Sequence, residues 1–149
     1  MIVKQSIEVH APPQLIYSIA RDVARWAEML PHYRYVRVLE RSGDDCVCVM
    51  AAQRDWFPVR WTAAVHLLPT IPRIEFTHIA GPITGMRVAW IFDTTPHGTL
   101  LTICHDMAAV RKPLVRTRLG SEIAARVFIE PIASQTLACM KAIAEERHA

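Results

Sequence analysis

From residue 33 to residue 107 the chain reads as six runs of strand character, each closed by a turn signal, and the part that follows has helical spacing without such punctuation. That succession limits the fold more than any other feature. The runs are Tyr33–Arg41, Cys46–Arg54, Val59–Leu68, Arg73–Ile79, Met86–Thr94 and Thr99–Met107. Between them stand RSGDD, RDWFP, PTIP, AGPITG and TPHG, rich in the residues that reverse a chain tightly. Links this short join antiparallel neighbours, so the spacing predicts a meander.

One more strand precedes the meander. Val3, Ile7 and Val9 alternate with Lys4, Ser6, Glu8 and His10, the period of a strand with one buried face. Pro12 and Pro13 stop it and suit the first turn of a helix, with Leu15, Ile16 and Ile19 inward. Asp22 is placed to accept from the free amides of a second short helix, packed down by Trp26, Met29 and Leu30 and ended by Pro31. The tail, Leu114 to Arg147, predicts one long helix with Ile129, Ala133, Leu137, Met140 and Ala144 on one face and Lys141 paired with Glu145. Pro131 removes an amide and meets the Val127 carbonyl, which predicts a kink; Gly120 is a second weak point. The expected architecture is α+β: a seven-stranded curved antiparallel sheet around one long C-terminal helix, with two short helices after the first strand. Residues 1–149, 52% hydrophobic, are enough for one domain with a real core.

Several function classes fall away. A net charge of +3 is too small to argue for nucleic acid. No apolar run approaches the roughly 20 residues of a membrane helix, and the N-terminus lacks a signal core. The cysteines, Cys46, Cys48, Cys104 and Cys139, form neither a CxxC pair nor a zinc-spaced set, so no metal or other cofactor is expected and the reading is cytoplasmic.

The strand faces suggest a hollow. Val59, Trp61, Ala63, Val65 and Leu67 share one face, with Arg60, Thr62 and His66 opposite. Met86, Val88, Trp90 and Phe92 share another, as do Leu101, Ile103, His105 and Met107. In the second run Cys46, Cys48, Met50 and Ala52 share a face, but Val47, Val49 and Ala51 make the other apolar too, and its inner side stays open. An aromatic, sulfur-rich, nearly uncharged interior suits an apolar ligand, or simply packs against the long helix.

The order of elements resembles the helix-grip fold of the START-like superfamily (SRPBCC), in particular its polyketide cyclase/dehydrase and lipid-transport branch. IEVHAPPQLIYSIARDVARWAEMLPHYRYVRVLER resembles that branch's N-terminal signature, and IAGPITGMRVAWIFD with GTLLTICHDM resembles its paired late strands. The resemblance covers Ile2 to about His148. It implies a cavity between sheet and helix that carries or senses a lipid, isoprenoid quinone or polyketide. The alternatives it implies are an aromatase/cyclase or dehydratase acting on a poly-β-ketone chain, and a protein-interaction module of the quinone-chaperone or ribosome-directed type.

Under this resemblance Tyr33 and Trp90 match aromatic pocket positions, whereas the arginines it implies on two middle strands are replaced by Val65 or His66 and by Thr77. Ligand-binding candidates are Met50, Trp61, Val65, His78, Met86, Val88, Trp90, Phe92, Ile103, His105 and Met140; Tyr33 and His105 are the candidate proton donor and acceptor. His78 lies beside AGPITG, a possible gate. Asp106 follows His105 but faces the other way, so the two are no dyad. Arg111, Lys112, Arg116 and Arg118 form a basic segment that could meet an acidic carrier protein, a phosphate head group or an anionic membrane.

Overall fold

The computed structural model describes residues 1–149. β1 (Ile2–Val9) is followed by α1 (Pro13–Ala20), a 3-10 turn (Val23–Arg25) and α2 (Trp26–Met29). Then come β2 (Tyr33–Ser42), β3 (Asp45–Arg54), β4 (Phe57–Leu68), β5 (Arg73–Ala80), β6 (Arg87–Thr95) and β7 (Gly98–Asp106). α3 (Pro113–Arg116), α4 (Arg118–Ala124), a wide turn (Ala125–Ile129) and α5 (Glu130–His148) complete the chain. The strands form one 7-stranded sheet in the order β1-β7-β6-β5-β4-β3-β2. Every pairing is antiparallel, so the meander runs from β2 to β7 and β1 closes on its last strand.

The inner faces are those the alternation indicates: Ala63, Val65 and Leu67 on β4, Val88, Trp90 and Phe92 on β6, and Leu101, Ile103 and His105 on β7 are buried. The open question on β3 resolves the same way, with Cys46, Cys48, Met50 and Ala52 buried and Val47 and Val49 only partly so, although Ala51 on the outer row is buried too. α5 lays Ala133, Leu137, Met140 and Ala144 into this surface. Polar contacts fix the helix along β1: Gln5 Nε2 donates to Ser134 Oγ at 2.7 Å, and Lys141 Nζ donates to the Glu8 carbonyl at 2.8 Å while bridging Glu145.

Four local expectations are corrected. The Asp22 side chain caps nothing; its carboxylate lies 3.9 Å from Arg25 instead. The turn between β3 and β4 is shorter than RDWFP suggests, because Arg54 already pairs with Phe57 and only Asp55 and Trp56 lie between them. Met86 precedes β6 rather than opening it.

The tail does not run as one helix from Leu114. Thr117 is extended; its hydroxyl donates to the Leu114 carbonyl at 2.7 Å and accepts from the Gly120 amide at 3.0 Å, which ends α3 and caps α4. A Cβ on Gly120 would sit 1.8 Å from the Leu114 carbonyl oxygen, so the glycine is there for close approach. From Arg118 to His148 the helix is continuous over 31 residues. It meets Pro131 by widening: the Glu130 amide bonds the Ala125 carbonyl five residues back. This helix contains an 18-residue window of mean hydropathy 1.2, long and apolar enough by composition to cross a membrane, contrary to the expectation from apolar runs; here its apolar face lies on the sheet.

Candidate functional site

A cavity of about 90 Å³ remains between the sheet and the N-terminal half of the long helix. Fifteen of its 19 lining residues are hydrophobic. The sheet supplies Met50, Val59, Trp61, Phe76, Val88, Trp90 and Ile103; the helix supplies Phe128, Ile129, Ile132, Ala133 and Thr136. Trp26 and Tyr33 also line it, as do Pro82, Ile83 and Met86 of the β5–β6 loop.

The aromatic wall is continuous. Trp26 anchors it, donating Nε1–H to the Ala20 carbonyl at 2.9 Å and packing its ring against Tyr33, Phe76 and Trp90 at centroid distances of 5.3, 5.7 and 5.2 Å. Trp61 meets Tyr33 edge-on and stacks on His78 at 5.5 Å with only 7° between ring planes. His78 reaches the cavity because it continues the inward row of Ile74 and Phe76. The extra residue Ile79 bulges only after it, between the pairs Ala63–His78 and Thr62–Ala80. The His78 carbonyl accepts from the Gly85 amide at 2.8 Å and the His78 amide donates to the Met86 carbonyl at 2.9 Å, so His78 also closes the loop.

His78 and His105 are the two imidazoles of the cavity lining, which also carries the Tyr33 and Thr136 hydroxyls. Both line the cavity, both are buried, and the Nδ1 of each lacks a hydrogen-bond partner. Burial holds the His78 imidazole down at about 4, helped by the neighbouring His105. Burial likewise lowers His105 to about 4, against an opposing hydrogen bond to the Val3 backbone. At neutral pH the pair is uncharged and offers one donor and one acceptor per ring. Burial raises the Tyr33 phenol well above its usual range, so Tyr33 is a hydrogen-bond donor rather than a base. His32 bonds Thr136 Oγ1 at 2.7 Å behind the lining, and burial lowers its pKa as well.

Of the residues singled out from the sequence, Tyr33, Met50, Trp61, His78, Met86, Val88, Trp90, Ile103 and His105 meet at this cavity. Val65, Phe92 and Met140 do not: they are packed into the core, and Phe92 sits edge-on against Tyr17 at 5.7 Å. Thr77 and His66 line a groove with Glu75 and Asp45, where His66 hydrogen-bonds Asp45. The residue of this part of β5 that reaches the cavity is therefore His78. Asp106 accepts from the Ala108 amide, away from His105. Cys46 and Cys48 place their sulfurs 3.5 Å apart, and burial pushes the Cys48 thiol up to about 12. Phe76, Ile83, Phe128 and Ile132 escaped sequence reasoning; the alternation of Ile74, Phe76 and His78 was the available signal for the first, whereas Ile83 depends on loop conformation and Phe128 on the widened turn.

A family model described as "Polyketide cyclase / dehydrase and lipid transport" matches residues 9–132. A putative polyketide cyclase of Streptomyces halstedii is 26% identical over 105 residues, covering 66% of this chain and 93% of that protein. The granaticin polyketide synthase bifunctional cyclase/dehydratase of Streptomyces violaceoruber is 28% identical over 91 residues, 60% of this chain but only 28% of its own length. Among solved structures, the Zhui aromatase/cyclase of Streptomyces sp. R1128 superposes with a TM-score of 0.84 at 20% identity, over 99% of this chain and 94% of that one. A START superfamily protein of Mycobacterium smegmatis superposes at 0.72 and 20% identity, over 95% and 98%. At these identities the structural likenesses establish the fold, a START-like helix grip. The chain belongs to the polyketide cyclase/dehydrase and lipid transport family.

Proposed function

We propose that the protein binds a neutral hydrophobic small molecule, a lipid, isoprenoid quinone or polyketide, between sheet and helix, and acts as its carrier or sensor. The observation that carries this reading is one cavity with an aromatic wall and two buried, uncharged histidines whose Nδ1 atoms lack partners. Such groups cost free energy when left unpaired, and a ligand carbonyl or hydroxyl would satisfy them. A charged ligand would be disfavoured, because no buried cation waits to meet it. The cavity is smaller than the ~300 Å³ at which ligand sites usually begin. Binding therefore requires the Gly81–Gly85 loop or the widened helical turn to yield. The free state of all four cysteines supports a reducing compartment such as the cytoplasm.

A second reading, closure or dehydration of a poly-β-ketone chain, is favoured by the cyclases among its relatives. In it Tyr33 would donate to a developing enolate oxygen, and neutral His105 would accept a proton inside a water-poor pocket. The absence of inward arginines weighs against the mechanism that the resemblance implies.

Native mass spectrometry of the purified protein, followed by denaturing extraction, tests the proposal. A stoichiometric co-purifying lipid, quinone or polyketide-like mass is expected. A clean unliganded mass, together with no uptake of any apolar probe, would sink it.

A further inference from the structure

The three most exposed large apolar side chains, Trp56, Leu114 and Leu119, lie on two segments that meet in the fold. One is the tip of the β3–β4 hairpin, where Trp56 is 85% exposed and Phe57 is 47% exposed. The other is α3 and the start of the long helix, with Leu114, Leu119 and Ile123 at 81%, 72% and 51%. They meet through Phe57, whose ring contacts Phe128 at 5.4 Å, while Trp56 packs on Phe57 at 5.9 Å. Leu119 and Ile123 are four residues apart on one helix face, and Phe128 follows across the widened turn. Five large apolar side chains this exposed are more than scattered surface residues require.

The charge around them is mainly positive. Arg54, Arg60, Arg111, Lys112, Arg116 and Arg118 are all exposed, and none forms a salt bridge. Within residues 54–60 and 111–126 the acids are Asp55 and Glu122, and Glu122 is already bridged by Arg126 at 3.4 Å. The patch also borders the cavity. Phe128, Val59, Pro82 and Ile83 line it, and the Arg111 amide donates to the Thr84 carbonyl at 2.9 Å, tying the basic segment to the loop at its side.

We propose that this face is a membrane-docking surface, seating Trp56, Leu114, Leu119 and Ile123 in the headgroup region of an anionic bilayer while the surrounding arginines meet lipid phosphates. Exposed apolar side chains flanked by unbridged cations fit the headgroup region of an anionic bilayer, which takes up apolar groups and presents phosphates together. Tryptophan is suited to the interface, having an apolar ring and a polar N–H. Each basic side chain near an anionic surface strengthens binding roughly fivefold. An apolar ligand could then pass between bilayer and cavity without crossing water. The docking surface itself does not depend on which ligand the cavity holds.

The test is co-sedimentation with sucrose-loaded vesicles of phosphatidylglycerol and phosphatidylcholine, or of phosphatidylcholine alone, with tryptophan emission as a second readout. Trp26 and Trp90 are buried and Trp61 partly so, which makes Trp56 the reporter that responds to a changed surface environment. Binding to the anionic vesicles, with a blue shift of emission that Trp56→Phe abolishes, is expected. R116E/R118E should weaken that binding by more than tenfold, and Trp56→Ser by severalfold, with apolar-probe uptake from solution unchanged in both. No sedimentation with anionic vesicles would overturn the proposal, and so would binding indifferent to all three variants. Tight capture of an acidic carrier protein without vesicle binding would assign the face to a protein instead.

Discussion

The buried histidine pair makes stability depend on pH in a way the geometry fixes in sign. His78 and His105 have folded pKa values of about 4, against 6.5 in an unfolded chain. Between those values the unfolded chain binds more protons than the folded one. Stability is therefore full above pH 6.5, falls as pH drops from 6.5 toward 4, and stops falling from this source below 4. At pH 5 each histidine has lost roughly 2 kcal/mol relative to pH 8, so the pair removes roughly 4 kcal/mol. Against a typical domain stability of about 5–15 kcal/mol this is a large fraction. Other groups titrate over the same range. Asp45 raises the exposed His66, which acts with the opposite sign, and the His10 amide lowers Glu145. A double variant, His78→Gln with His105→Gln, keeps those groups and removes the pair. Urea unfolding at pH 8 and pH 5 should show the native chain losing roughly 4 kcal/mol more than the variant across that interval, whatever the variant's starting stability. Equal losses to within about 1 kcal/mol would refute the assignment of both imidazoles as buried and neutral.

Other consequences follow from single contacts. Gly85→Ala places a Cβ 2.0 Å from the Ala109 carbonyl oxygen at a φ of +98°, so it should cost more than about 2 kcal/mol in thermal unfolding and loosen the cavity loop. Gly120→Ala should cost about 1–3 kcal/mol by the clash with Leu114, whereas a glycine kept only for flexibility would give a gain on the same assay. Thr117→Ala removes the α4 cap and should cost about 1 kcal/mol by urea titration. Tyr33→Phe should leave stability within about 1 kcal/mol and weaken a carbonyl-bearing ligand about tenfold by fluorescence titration.

The sheet was legible because period-two alternation and turn residues act locally, and every strand of the meander carries both. The inner face of β3 was not, since Val47 and Val49 are as apolar as Cys48 and Met50; only pairing with β4, Met50 opposite Trp61, decides it. The α3–α4 break was hidden because it depends on the Thr117 hydroxyl bonding Leu114 and Gly120 while propensity favours continuity. The site was half legible. Parity placed Trp61, Trp90 and His105 correctly on the inner face, but it cannot say which inner residues face a void. Val65, Phe92 and Met140 share that face with the cavity lining and are filled against by neighbours. His78 needed the bulge at Ile79 to fall after it, which no sequence period reports.

The most direct test is to fill the cavity. Ala133 is buried and lines it from the helix, and Ala133→Phe would occupy the space a ligand needs. Titration of a neutral apolar fluorophore into both proteins, with far-ultraviolet circular dichroism confirming the variant's fold, should give saturable binding to the native chain and at least tenfold weaker binding to the variant. Equal affinity for both proteins would mean that the aromatic hollow between sheet and helix is not where the ligand goes.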